Sequence, residues 1–247
     1  MREPPVRYLT PMFDVEMIGD VEFGASRAVS GEMETLRLDI YQPAGDKAPL
    51  RPAILWFHGG GFRPGNDKRQ VYIPRFAKAF AARGYVGIAP DYRVRANPDA
   101  NWGGTVADAI ADARMALEWV RAHTADYRID PSRIALAGGS AGGMIVVSLM
   151  HGPDAPTGVW ALLDLWGTPG TSFRQFSGVS PSAPPTFIVH GTADALVPYE
   201  WSAQFAAELA QAGVPHQLLT LEGAPHTPLA HMEQMVAAIA AFLAKLL

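Results

Sequence analysis

Chemistry is offered most directly by Gly138-Gly139-Ser140-Ala141-Gly142, a serine framed by glycines at the end of an apolar run, 134–137. The spacing is G-x-S-x-G. A strand that reverses into a helix about one residue forces that residue into a strained conformation, and neighbours without side chains let strand and helix close up. Ser140 would stand at the tip of such a turn as a nucleophile. The N–H of Ala141 and the helix N-terminus behind it would face negative charge developing beside the hydroxyl. A serine that caps a helix after a glycine-rich loop gives the same local pattern. Other residues must separate the two readings.

An acyl-transfer serine needs a base, a carboxylate to orient the base, and N–H donors aimed at an oxyanion. Asp194, in His190-Gly191-Thr192-Ala193-Asp194, follows an apolar run at 186–190, and His226 follows another at 216–221. The order serine, aspartate, histidine is that of an α/β-hydrolase. Taken singly, a loop aspartate is a turn residue and a loop histidine a solvated one. Asp164 also follows Ser140, but it falls inside a strand expected at 160–166, so Asp194 is the expected acid partner. Gly59-Gly60-Gly61 empties out of a continuous apolar run at 53–57. Its glycines allow a flexible turn, or a loop whose Gly60 and Gly61 N–H groups point into the site opposite Ala141. His58 is read as a brace for that loop. Phosphate binding is disfavoured because neither loop gives G-x-G-x-x-G or ends in G-K-[ST]. His190, Asp194 and His226 offer metal-ligand chemistry, but no H-E-x-x-H is present and a metal leaves the Ser140 turn unexplained. No metal and no cofactor are expected. Phe62 is the candidate substrate-lining residue; with Trp102, Trp160 and Trp166 it could line an aromatic-friendly pocket, yet aromatics on or beside strands are more often plain core.

The elements that must position these residues follow from periodicity. Alternation over 12–23 and 34–41, with turn material at Ser30-Gly31-Glu32, predicts an antiparallel pair. Strands are predicted at 53–57, 85–89, 134–137, 160–166, 186–190 and 216–221. Helices are predicted over 71–83, along Val106, Ile110, Ala113, Leu117 and Val120, over 200–212 and over 231–247. Asp130-Pro131-Ser132 is read as a turn into the central strand. Strands alternating with helices predict a doubly wound, mostly parallel α/β sheet. One domain spanning 1–247 is expected. The connection 167–183 is rich in proline, glycine and serine without helical periodicity, and the residues before Ala53 are used by the hairpin, so no cap domain is expected.

Of the 247 residues, 49% are hydrophobic and 18% charged, which excludes a disordered chain. A net charge of −4 disfavours nucleic acid or an anionic membrane as partner. Without cysteine, disulfides and thiol catalysis are excluded. The N-terminus lacks the apolar stretch of a leader and no segment is long enough to span a bilayer, so a cytoplasmic protein is expected.

His58-Gly59-Gly60-Gly61-Phe62, Asp91-Tyr92-Arg93, Gly138 through Gly143, His190 through Asp194 with Val197-Pro198, and Pro225-His226 occur in that order. Together they resemble the esterases related to hormone-sensitive lipase, and within them the branch of acetyl and feruloyl esterases acting on decorated plant polysaccharides. The resemblance implies Ser140 as nucleophile, Asp194 as acid partner, His226 as base, and Gly60, Gly61 and Ala141 as oxyanion donors. It also implies a small-molecule or carbohydrate ester as substrate. Gly139 stands where lidded members of the wider group carry an acidic residue, which points to the smaller branch. Met144 stands where many of that branch carry histidine. An arylformamidase-like amide hydrolase and a non-catalytic binding protein on the same fold are the alternatives.

Overall fold

A computed structural model describes residues 6–247. The leader-free reading of the N-terminus rests partly on residues 1–5, which lie outside the described residues. In chain order the elements are α1 (Val6–Leu9), β1 (Val15–Arg27), β2 (Met33–Pro43), β3 (Arg51–Phe57), α2 (Tyr72–Ala81), β4 (Val86–Pro90) and α3 (Trp102–Ala122). There follow β5 (Ile129–Gly139), α4 (Ala141–His151), β6 (Leu162–Leu165), β7 (Thr186–Gly191), α5 (Tyr199–Gln211), β8 (His216–Leu221) and α6 (Met232–Ala244). The strands form one sheet in the order β1-β2-β4-β3-β5-β6-β7-β8. β1, β2 and β4 pair antiparallel, and β4 through β8 run parallel. This is the α/β-hydrolase fold expected.

The continuous apolar runs become strands buried on both faces, as parallel strands between helical layers must be. Alternation divides them between two cores. Leu55, Phe57 and Leu136 pack against α3, α4 and α5 through Val106, Leu117, Ile145 and Phe205. Ile54, Trp56 and Ala135 face α2 and α6 through Phe76, Phe80, Ile239 and Phe242. Removing a large side chain from such a core costs about 2–5 kcal/mol. α4 is buried all round, which fits an element enclosed on every side.

Three local differences from the sequence reading have simple causes. Asp130-Pro131-Ser132 is not a turn before β5 but an irregularity within it: Arg51 pairs with Ile129 and Ala53 with Ile134, so extra residues loop out on one strand. Asp130 Oδ1 accepts the Ser132 N–H at 2.9 Å and keeps that bulge compact. α3 starts at Trp102, earlier than its apolar periodicity, because Asn101 caps it by accepting the Gly104 N–H at 3.1 Å. α1 is a single turn, too short to carry a periodic signal. The connection 167–183 holds a 3-10 turn, Thr171–Phe173, and among the described residues no cap is built there or ahead of β3. Among the described residues no helix is long and apolar enough to cross a membrane.

Candidate active site

Ser140 lies between β5 and α4 with φ 56° and ψ −121°, a conformation that L-residues occupy only under strain. The surroundings hold it there. Its N–H donates to Leu165 O at 2.9 Å, and its carbonyl accepts the Met144 N–H at 3.0 Å, opening the helix. A Cβ on Gly138 would collide with the carbonyl of Gly142, and one on Gly142 with the carbonyl of Phe57. The glycine spacing is therefore required by the closeness of three backbones.

His226 and Asp194 come to this turn from the ends of β8 and β7. His226 Nε2 is 2.9 Å from Ser140 Oγ, and His226 Nδ1 is 2.7 Å from Asp194 Oδ2. The two loops are laced together: Thr192 N–H donates to Leu221 O at 3.0 Å, Ala193 N–H to Ala224 O at 3.0 Å, and Gly223 N–H to Thr192 Oγ1 at 2.8 Å. Asp194 Oδ1 accepts the N–H groups of Leu196 at 2.8 Å and Val197 at 3.0 Å. Burial pushes its carboxyl pKa up, but the bonds from Val197, His226 and Leu196 outweigh burial and hold it below the usual carboxylate range. An ionised Asp194 only accepts, so it fixes the hydrogen of His226 on Nδ1 and leaves Nε2 bare toward the Ser140 hydroxyl. The arrangement can take a proton from Ser140.

The glycine loop faces the same point. Gly60 has φ 101° and Gly61 φ 61°, the left-handed region open to glycine. Among the described residues the N–H groups of Gly60, Gly61 and Ala141 have no acceptor. The loop is braced from behind. Gly59 N–H donates to Gln70 Oε1 at 2.8 Å and the Tyr92 hydroxyl donates to His58 O at 2.9 Å, while the Tyr72 hydroxyl braces the facing end of β5 by donating to Gly139 O at 3.0 Å. His58 is buried, stacks on Tyr92 with ring centroids 4.2 Å apart, and has Nδ1 2.8 Å from Gly59 O. Burial lowers its pKa and keeps it neutral.

A cavity of about 340 Å³ is lined by Gly59, Gly60, Gly61, Ser140 and His226, together with Gln70, Tyr72, Leu196 and Thr227. The last four were not singled out from the sequence. Leu196 and Thr227 adjoin the Asp194 and His226 loops, which is the signal that would have found them; Gln70 and Tyr72 carry none. Phe62 is a correction: its side chain is 1% exposed and packs edge-on to Tyr92 and Trp102. Its φ of 60° accompanies a ring turned into the core rather than toward the cavity. Trp166 is likewise fully buried core. A larger cleft of about 560 Å³ beside Val29, Glu34, Arg93 and Asn97 lacks the reactive constellation. Its arginines are committed, Arg93 to Asp112 at 2.8 Å and Arg95 to Asp108.

Residues 38–155 match the family BD-FAE, and residues 163–247 match the prolyl oligopeptidase family. The chain is 27% identical to the probable carboxylic ester hydrolase LipM of Mycobacterium tuberculosis over 84% of its own length and 55% of that protein's. It is 33% identical to the chlorogenic acid esterase of Aspergillus niger over 55% of its own length and 28% of that protein's. The chain thus spans about half the length of the first relative and about a quarter of the second. Among solved structures, the esterase Est2 of the planctomycete Thermogutta terrifontis with propionate bound superposes with a TM-score of 0.72. That match is 28% identical and covers 98% of this chain and 96% of the other.

Proposed function

We propose that this chain, an α/β-hydrolase of the esterase group related to hormone-sensitive lipase, is a serine carboxylesterase acting on short-chain acyl esters. The observation that carries the reading is the run Ser140 Oγ, His226, Asp194, with separations of 2.9 and 2.7 Å, opening onto a cavity walled by free N–H groups. His226 Nε2 takes the Ser140 proton as Oγ bonds to the ester carbonyl carbon. The carbonyl oxygen becomes an oxyanion beside the N–H groups of Gly60, Gly61 and Ala141. As the intermediate collapses, the C–O bond to the alcohol breaks and the departing oxygen takes the proton from His226. Water then adds to the acyl group, giving its proton to His226, and the acid leaves as Ser140 recovers its hydrogen.

Short acyl groups suit the small cavity and the lack of a cap among the described residues, and propionate occupies the structure of the Thermogutta relative. A finer reading, that the esters are acetyl or feruloyl groups on carbohydrate, is supported by the chlorogenic acid esterase relationship and by the motifs shared with that branch. p-Nitrophenyl acetate hydrolysis tests the reaction. Ser140→Ala is expected to lower kcat on the order of 10⁴-fold or more while the fold persists, and a near wild-type kcat would sink the mechanism. Acetylated xylan against methyl ferulate tests the finer reading, which fails if neither is hydrolysed.

A further inference from the structure

Asp164 is the penultimate residue of the neighbouring strand β6, with no exposed surface, and nothing in the ester hydrolysis uses it. Its Oδ1 accepts the Gly167 N–H at 3.1 Å, and its Oδ2 is hydrogen bonded to Thr168 Oγ1. From there the contacts continue. Thr168 Oγ1 is 2.7 Å from Ser202 Oγ, and Ser202 Oγ is 2.7 Å from His190 Nδ1. His190 Nε2 reaches Val197 O at 2.9 Å and Asp194 Oδ2 at 3.0 Å. Asp164, Thr168, Ser202 and His190 are all fully buried, so no water supplies or removes a hydrogen along the way. The chain ends on the carboxylate oxygen that holds His226.

Counting hydrogens settles its direction. His190 Nε2 faces two acceptors, a carbonyl and a carboxylate, so it carries a hydrogen. With a neutral ring, Nδ1 is bare and accepts from Ser202. Ser202 then accepts from Thr168, and Thr168 accepts from Asp164, which must be the carboxylic acid. An ionised Asp164 reverses each bond and requires a doubly protonated, cationic His190. Both arrangements hold the same number of protons, and they differ in whether a separated charge pair is buried. Burial disfavours that pair at both ends, pushing Asp164 up to about 7 and lowering His190. Gly143 of α4, which lies against Asp164, and Ser202 of α5, which lies against Thr168, are both uncharged. Asp194 and the Val197 carbonyl favour the His190 cation and His226 opposes it, and burial together with His226 outweighs the first two.

We propose that Asp164 is kept as a carboxylic acid whose hydrogen, relayed as bond direction through Thr168 and Ser202, sets His190 to donate to Asp194. Asp164 and His190 are then positioning residues for the hydrolysis proposed above, and the inference rests on that reading for its kinetic consequence only. Loss of the Asp164 proton leaves Thr168 donating to Asp164, takes the hydrogen from the Ser202 to His190 link, and loosens Asp194.

Asp164→Asn is the decisive variant, because its amide reproduces both the donor to Thr168 and the acceptor for Gly167. At pH 6 the wild-type infrared spectrum is expected to show a buried carboxylic acid carbonyl band that Asp164→Asn lacks. The same variant should hydrolyse p-nitrophenyl acetate within about threefold of wild type at pH 6 and keep its rate at alkaline pH where wild type declines. Thr168→Val, which interrupts the relay, should lose about tenfold in kcat with little change in KM. Absence of the acid band from wild type would overturn the proposal. So would an Asp164→Asn protein that fails to fold or loses activity as Thr168→Val does. If wild type hydrolyses no ester, the esterase reading falls while the infrared band still decides the state of Asp164.

Discussion

The ends of β6 and β7 lie side by side in the sheet, and each presents a buried aspartate to the same small region. Asp194 accepts from two backbone N–H groups and two histidine rings, whereas Asp164 has one backbone N–H and a threonine hydroxyl that can turn either way. The side chains of both are out of water, yet their carboxyls shift in opposite directions. Burial alone therefore does not decide whether a carboxyl is charged. The number of hydrogens that cannot turn away decides it, and a loop leaving a strand can gather more of them than the strand itself.

The most severe way to break this contrast is to neutralise both aspartates in turn. Asp194→Asn should lower kcat on the order of 10⁴-fold, since the amide no longer fixes His226 with a bare Nε2. Asp164→Asn should cost no more than about threefold at pH 6, as an amide stands in for an acid. Equal losses in steady-state assays would erase the distinction.

Stability against pH sharpens it with a smaller effect. The folded protein binds the Asp164 proton more tightly than the unfolded chain, so that contribution is complete in acid and is lost as pH rises from the usual carboxylate range through about 7. Asp194 runs the other way: its contribution is present at neutral pH and is lost as pH falls through its lowered pKa. Tm followed across pH should lose its decline toward neutrality in Asp164→Asn, and part of its acid fall in Asp194→Asn. Matching Tm profiles for wild type and both variants would contradict this.

The smallest effect belongs to the open side of the β7 loop, where Leu196 is 73% exposed beside the cavity. A buried methylene is worth about 0.8 kcal/mol, roughly fourfold in rate, and an uncapped wall recovers less than that. Leu196→Ala should thus change kcat/KM for butyryl over acetyl esters by about twofold to threefold. A steep rise toward palmitoyl esters in the wild-type series would mean a long acyl channel that this wall does not provide.

Much of this was legible in the sequence because it rests on residue type at strand ends. Ser140, Asp194 and His226 each follow an apolar run, and parallel strands carry such positions to one edge of the sheet. Gly138 and Gly142 are legible as well, since only hydrogen side chains fit their spacing. Asp164 was not: alternation says it sits within a strand, and says nothing of Thr168 or of Ser202, which lies 34 residues beyond Thr168 and meets it only after folding. Phe62 misled because it adjoins the glycine loop, and proximity in sequence does not say which way a left-handed residue turns its ring. The Asp130 to Ser132 turn signal was sound locally, yet flanking pairs on both sides absorbed it into β5.

The sheet order also governs when the protein becomes competent. Ser140 and His226 are separated by 86 residues, and their contact needs β6, β7 and the edge strand β8 all in place beyond β5. Contacts of such sequence separation form slowly, while α2, α3 and the β1–β2 hairpin need only their own neighbourhoods. In refolding from denaturant, helical signal should return ahead of hydrolysis. Regained activity is then a clock for the seating of the last strand.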